Sequence, residues 1–290
     1  MRDVNVGIVG LGNIGTGTLK ILAETADQIA LKTGFHLRVA AVCDLLIESK
    51  PIPESLGPVF KTNDWHRLIE HPGLDIVVEL VGGTTVAAEV IYAAIAAKKS
   101  VVTANKELMA LSGPEIWERA IEAGTNIAME ASVAGGIPIH AVLREGISGD
   151  RVVALYGILN GTSNYILTEM EQHGTALATV LAEAQRLGYA EANPSNDIDG
   201  YDARSKLAIL SALAFGEKIT PADIFTEGIR RLSPMDFQYA HRLGHTIRLL
   251  DAPIGSTPPA SGAPRTAIEW CGPAGGRIGN PSARGGECLR

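Results

Sequence analysis

A short β-branched run, Val4 to Val9, leads straight into Gly10-Leu11-Gly12-Asn13-Ile14-Gly15. Apolar residues at helical spacing (Ile14, Leu19, Leu22, Ile29) then continue to Leu31. This order of elements is restrictive. An apolar strand of this kind is buried on both faces. Three glycines at this spacing permit a tight turn, close backbone approach and close packing of helix on strand. The helix that follows offers unpaired N–H groups and the positive end of its dipole to whatever lies over the turn. The segment predicts a pyrophosphate cradle, with Gly10, Gly12, Asn13, Ile14 and Gly15 against a dinucleotide.

The same rhythm continues. Strands are predicted at His36–Cys43, Asp75–Leu80, Ser100–Thr103 and Thr125–Met129, and helices at Asp64–Glu70, Val86–Ala97 and Pro114–Ala123. Strands alternating with helices imply a parallel sheet with right-handed crossovers. The expected fold class is therefore α/β, with residues 1–130 as a doubly wound Rossmann domain that binds NAD or NADP. Beyond Met129 the pattern changes. One longer strand is expected at Arg151–Leu159, then helices at Tyr165–Gln172, Leu177–Leu187, Asp202–Phe215 and Asp236–Leu250. Residues 131–250 read as an α+β substrate-binding and dimerisation domain. Residues 251–290 hold eight glycines and six prolines without periodicity. Such a stretch buries too little apolar surface to offset its ordering entropy. It reads as a disordered or non-native tail, leaving the second domain truncated.

Charge and composition exclude other classes. A formal charge of −7 and the absence of a lysine/arginine block disfavour a nucleic-acid partner. No apolar run approaches the ~20 residues of a membrane span. The N-terminus enters a strand directly, without a basic-then-apolar leader. Cys43, Cys271 and Cys288 are too few and too scattered for a disulfide framework or a zinc site. A cytoplasmic protein is expected.

Candidate site residues gather at predicted strand ends and on one later helix. Asp44 closes the second strand, where a carboxylate would bond a ribose 2′-hydroxyl. Arg38 and Lys50 nearby suit a 2′-phosphate, so the choice between NAD and NADP stays open. Val81-Gly82-Gly83-Thr84-Thr85 follows the third strand and flanks the cofactor edge. Thr84 suits either cofactor contact or a helix cap. Lys106 follows the fourth strand on the same edge. Asp202 and Lys206 stand four residues apart on one helix face, and Glu191, Asp197 and Asp199 precede that helix. Four-residue spacing also makes an ordinary surface ion pair, but carboxylates gathered before the helix suit an ammonium group. His241 and His245 share that spacing without a HExxH context, which argues against a metal. Cys43 reads as a small core residue.

Several stretches together resemble the homoserine dehydrogenase family. They are Gly10–Gly15, Val81-Gly82-Gly83, Val102–Lys106, Glu130–Pro138, Leu159–Leu167 (with its Asn160-Gly161-Thr162), Leu187–Glu191 and Asp197–Leu210. The resemblance covers residues 1 to about 250 in family order. It implies interconversion of L-aspartate 4-semialdehyde and L-homoserine with NAD or NADP, in threonine and methionine biosynthesis. It implies Lys206 as the proton donor and acceptor and Lys106 as a second catalytic lysine beside the nicotinamide. Glu191, Asp202 and Asp197 would hold substrate, and Thr84 and Gly188 would approach the cofactor. Glu130, Val133, Gly135 and Ile137 would bind a sodium ion. A homodimer is also implied. Residues 251–290 depart from the family pattern. The competing reading is a nucleotide-binding protein whose catalysis is impaired by its aberrant end. A cysteine-dependent semialdehyde enzyme is disfavoured, because Cys43 is the only cysteine before the tail.

Overall fold

Parallel strands build the first half of the chain. The computed structural model describes residues 1–252 and 265–271. The chain divides into two units, Met1–Gly146 and Ile147–Arg290. In the first, β1 (Arg2–Val9), β2 (Phe35–Cys43), β3 (Phe60–Thr62), β4 (Ile76–Glu79), β5 (Ser100–Thr103) and β6 (Ile127–Ala128) form one sheet in the order β3-β2-β1-β4-β5-β6. Every pairing in it is parallel. The strand order reverses between β1 and β4, and ligands bind at such a reversal, beyond the carboxyl ends of the strands.

Helices α1 (Asn13–Thr33), α2 (Trp65–Ile69), α3 (Thr85–Ala96) and α4 (Lys106–Ala123) make the crossovers, and the short α5 (Ile139–Ala141) follows β6. Ile8, Leu11, Leu19 and Val42 pack together in one buried cluster. Two elements differ from expectation. β3 lies in a proline- and glycine-rich stretch and has three residues, too few to show a period. Helix α4 begins at Lys106 rather than Pro114, because the Asn105 side chain caps it by accepting from the Leu108 N–H at 3.1 Å.

The second unit contains α6 (Gly161–His173), α7 (Leu177–Arg186), α8 (Ser195–Ile198), α9 (Tyr201–Phe215), β7 (Phe225–Thr226), α10 (Pro234–Arg242), β8 (Thr246–Ala252) and β9 (Arg265–Cys271). The sheet order is β7-β9-β8. Ile166, Leu167 and Met170 from α6 pack with Ile198, Ala203, Phe237, Ile247 and Leu249.

Three expectations are corrected here. Arg151–Leu159 is not a continuous strand: it holds only isolated bridge residues, Ala154 and Gly157, the latter paired with Asp251. Its apolar residues Val153 and Ile158 are exposed, so burial does not hold it extended. Asp236–Leu250 is not one helix. A Ser233/Asp236 capping box starts α10, Gly244 (φ 73°) follows its end, and strand β8 comes next. In β8, Ile247, Leu249 and Asp251 point inward, the period-2 burial of a strand rather than a helical stripe. Finally, the stretch read as a tail contains β9, which pairs antiparallel with β8 from Ala252↔Arg265 to Thr246↔Cys271. The rest of that stretch, 253–264 and 272–290, lies outside the described residues.

Candidate active site

The glycine turn is built as its sequence requires. Gly10 has φ 96°, and a Cβ there would stand 2.6 Å from the Leu80 backbone. A Cβ on Gly15 would meet the Gly10 carbonyl oxygen at 2.0 Å. Gly12 is the N-cap of α1, without a side-chain cap and with open space where a Cβ would project. Asn13 and Ile14 begin the helix and are exposed. The turn therefore offers a helix N-terminus without a side-chain cap among the described residues, at the sheet's reversal point, and its residues fit a pyrophosphate.

Asp44 serves this turn. One carboxylate oxygen accepts from the Leu11 N–H at 2.7 Å, and the other from the Leu46 N–H at 2.9 Å. The Lys50 ammonium stands 3.5 Å away. Burial pushes its pKa up, but the two N–H groups and Lys50 outweigh that and hold the carboxyl below the ordinary aspartate range. Both its oxygens are engaged by the turn itself. Arg38 ion-pairs with Asp3 at 2.8 Å, at the opposite end of the strands.

A second network joins the loops after β4 and β5. Glu79 is fully buried. Its Oε1 accepts from the Val81 N–H at 2.8 Å and the Gly82 N–H at 3.3 Å, and its Oε2 from the Thr103 hydroxyl at 2.6 Å. The Thr103 hydroxyl accepts in turn from the Asn105 N–H, while Asn105 Nδ2 donates to the Gly83 carbonyl at 2.6 Å. The network sets the loop carrying Thr84 and the start of α4, where Lys106 is exposed. Thr84 is the N-cap residue of α3, but its side chain makes no capping bond. Sequence reasoning passed over Glu79; the signal was a carboxylate ending an otherwise apolar strand.

In the second unit, charged groups converge on the segment before α6. The Lys206 ammonium lies 2.6 Å from Asp202 Oδ2 and donates to the Leu159 carbonyl at 2.9 Å. Asp202 is buried and Lys206 is 20% exposed at its side chain, which sets this pair apart from a solvated one. Asn160 Nδ2 donates to Asp197 Oδ1 at 2.6 Å and to Asp202 Oδ2 at 3.0 Å. Buried Asp251 accepts from the Leu159 N–H at 3.1 Å through Oδ2. The structure thus joins Asp197, Asp202 and Lys206, and adds Asn160 and Asp251 beneath them. Asp251 gave no local signal, because its partner lies 92 residues away.

Asp199 separates from the predicted carboxylate group. Arg230 grips both its oxygens at 2.7 Å, and this guanidinium holds its carboxyl below the ordinary range. Glu191 and Gly188 lie on the exposed turn leaving α7. Gln185 Nε2 fixes that turn by donating to the Glu191 carbonyl at 2.9 Å, and the Thr162 hydroxyl does so by donating to the Tyr189 carbonyl at 2.9 Å. Gly188 has φ 78°, which favours glycine there.

The proposed cation loop turns through Ala134 (φ 52°) and Gly136 (φ 87°). Val133 is buried, and Glu130, Gly135 and Ile137 are exposed. No cluster of three or more His, Cys, Asp or Glu side chains suited to a metal occurs among the described residues. His245 Nδ1 is engaged with the Leu243 carbonyl at 2.7 Å. Cys43 is buried, and burial followed by the charges of Asp64 and Asp44 pushes its thiol up to about 11. A thiol so protonated is a poor nucleophile at neutral pH. No helix among the described residues is long and apolar enough to cross a membrane.

Comparison with known proteins places both units. Residues 10–130 match the family model for the homoserine dehydrogenase NAD-binding domain, and residues 138–261 match that for homoserine dehydrogenase itself. The second match ends at residue 261, close to the expected limit of the family likeness at about 250. A homoserine dehydrogenase of Neisseria gonorrhoeae is 45% identical over 251 residues, covering 86% of this chain and 57% of the relative. The crystal structure of a homoserine dehydrogenase from Thiobacillus denitrificans superposes with TM-score 0.84 at 43% identity, covering 93% of this chain and 62% of that one. A hyperthermophilic archaeal homoserine dehydrogenase in complex with NADPH gives TM-score 0.73 at 26% identity, covering 96% and 84%. The chain spans little more than half the length of the curated relatives it matches.

Proposed function

The chain belongs to the homoserine dehydrogenase family, and we propose that it interconverts L-aspartate 4-semialdehyde and L-homoserine with NAD or NADP. The observation that carries this reading is the half-buried Lys206 ammonium, held by a buried carboxylate and a backbone carbonyl. When bound, the nicotinamide supplies or accepts the hydride at the substrate carbon. As the semialdehyde is reduced, negative charge grows on its oxygen. The Lys206 ammonium offsets that charge and delivers the proton; in the reverse direction its free amine removes one. Asp202 holds the lysine in place.

Asp197, Asp202 and Lys206 leave one net negative charge, suited to the substrate's ammonium group. Glu191 adds a carboxylate from the α7 turn. Lys106 serves beside the nicotinamide, with Thr84 and Gly188 against the cofactor and the Gly10–Gly15 turn on its pyrophosphate. Glu130 and the backbone oxygens of Val133, Gly135 and Ile137 form a donor set suited to a hard monovalent cation such as sodium. The active species is a cytoplasmic homodimer. Steady-state oxidation of L-homoserine with each nucleotide tests the reading. Turnover by the wild-type chain and its loss in Lys206→Ala, with cofactor affinity retained, support it. Cofactor binding without turnover in the wild-type chain would instead establish the impaired nucleotide-binding protein.

A further inference from the structure

Asn160 has no part in the chemistry above, yet both the nitrogen and the oxygen of its buried amide are engaged at the site. The oxygen accepts from the Ser163 N–H at 2.8 Å, capping α6. The nitrogen donates to Asp197 and Asp202 at 2.6 and 3.0 Å. These partners fix the orientation of the amide, since only its nitrogen can face two carboxylates. We infer that Asn160 is a positioning residue, whose two N–H donors set the separation of Asp197 and Asp202 and aim both at the substrate's ammonium group.

Capping alone does not explain the choice of residue. Aspartate and serine cap helices about as well as asparagine. Neither supplies two donors at that height. Without them, two carboxylates on different helices, α8 and α9, face each other and repel. Lys206 offsets only the Asp202 oxygen that it already shares with the amide. Asp251 adds a further carboxylate one residue away, through the Leu159 N–H. The bridging amide therefore relieves a local excess of negative charge. The kinetic consequence rests on the dehydrogenase reading; the electrostatic one does not.

The test compares Asn160→Asp and Asn160→Ser in the 290-residue chain. Both keep an oxygen for the Ser163 N–H, so both should fold: Asn160→Ser should melt near wild type, and Asn160→Asp should do so at low pH, where its added carboxyl is protonated, and melt lower as pH rises. Kcat/KM for homoserine should fall by about 100-fold in each, mainly through KM for homoserine, with KM for the nucleotide unchanged. N160D should regain activity as pH falls, because a proton on the added carboxyl restores a donor. N160S should not. Potentiometric titration of N160D against wild type should show one proton held to higher pH than by an ordinary aspartate. Collapse of both variants, equal shifts in both KM values, or a pH profile parallel to wild type would overturn the positioning role. If the wild-type chain does not oxidise homoserine with either nucleotide, the dehydrogenase reading fails and the titration alone decides. An added carboxyl that titrates like a free aspartate would then overturn the inference.

Discussion

The two units place their polar groups by different means. In the first, each functional loop directly follows a strand: Gly10 after β1, Val81–Thr84 after β4 and Lys106 after β5. Parallel pairing brings those strand ends to one edge, so location is settled by the sheet. In the second unit the charged groups come from α8, α9, the cap of α6 and the end of β8, and they meet through side-chain bonds. The first unit should therefore be governed by backbone space and turn geometry. The second should be governed by individual donors and acceptors, each separately removable.

The sharpest test of that contrast is Lys206→Ala. Removal of a positioned proton donor should lower kcat for homoserine oxidation by about 10²–10⁴-fold, while nucleotide affinity, measured by fluorescence titration, stays within a factor of about two of wild type. Retention of near-normal turnover would remove the lysine from its role. Gly15→Ala is the reciprocal case. Its Cβ would collide with the Gly10 carbonyl oxygen, so nucleotide binding should weaken by about 100-fold, roughly the 2–3 kcal/mol of a local overpacking strain. Unaltered binding would show that the turn has room the geometry denies.

Glu79→Gln probes the buried network of the first unit. An amide keeps one acceptor oxygen and turns an N–H toward groups that donate. The expected loss is about 1–3 kcal/mol of stability, read as a lowered midpoint in urea, with weaker nucleotide binding from a loosened Val81–Thr84 loop. The smallest effect is expected at Glu171 in the second unit. Its carboxylate accepts from the Thr246 hydroxyl and from Arg248 at 2.8 Å. Burial pushes its pKa up, but those two bonds and the Arg248 charge outweigh that and hold it below the ordinary 4.5. A depressed folded-state value contributes stability above the unfolded value, which is lost as pH falls through the folded one. Glu171→Gln should thus lose stability at neutral pH and show a flatter decline on acidification below about pH 4.5. Melting curves across pH check both signs.

Legibility followed the same division. Val4–Val9, the glycine turn and the next helix were readable because each is local: burial period, backbone freedom and helix spacing act over a few residues. The Asp202/Lys206 pair was readable for the same reason, being one turn of α9. Arg151–Leu159 was misread because β-branched composition favours an extended chain without saying whether a partner strand exists. Asp236–Leu250 was misread because a helical and an alternating pattern overlap until Gly244 separates them. The tail was misread at β9, whose glycine- and proline-rich surroundings hide a strand that exists by pairing with β7 and β8.

The sequence by itself determined the parallel α/β domain, its glycine turn and the lysine on α9, because these depend on contacts between near neighbours in the chain. Only the tertiary structure decided that Asp44 serves the glycine turn, that Asp199 belongs to Arg230, and that Asn160 and Asp251 flank the segment anchoring Lys206. A buried carboxylate or amide must find partners, and which partners it finds depends on which distant segments the fold brings within about 3 Å of it.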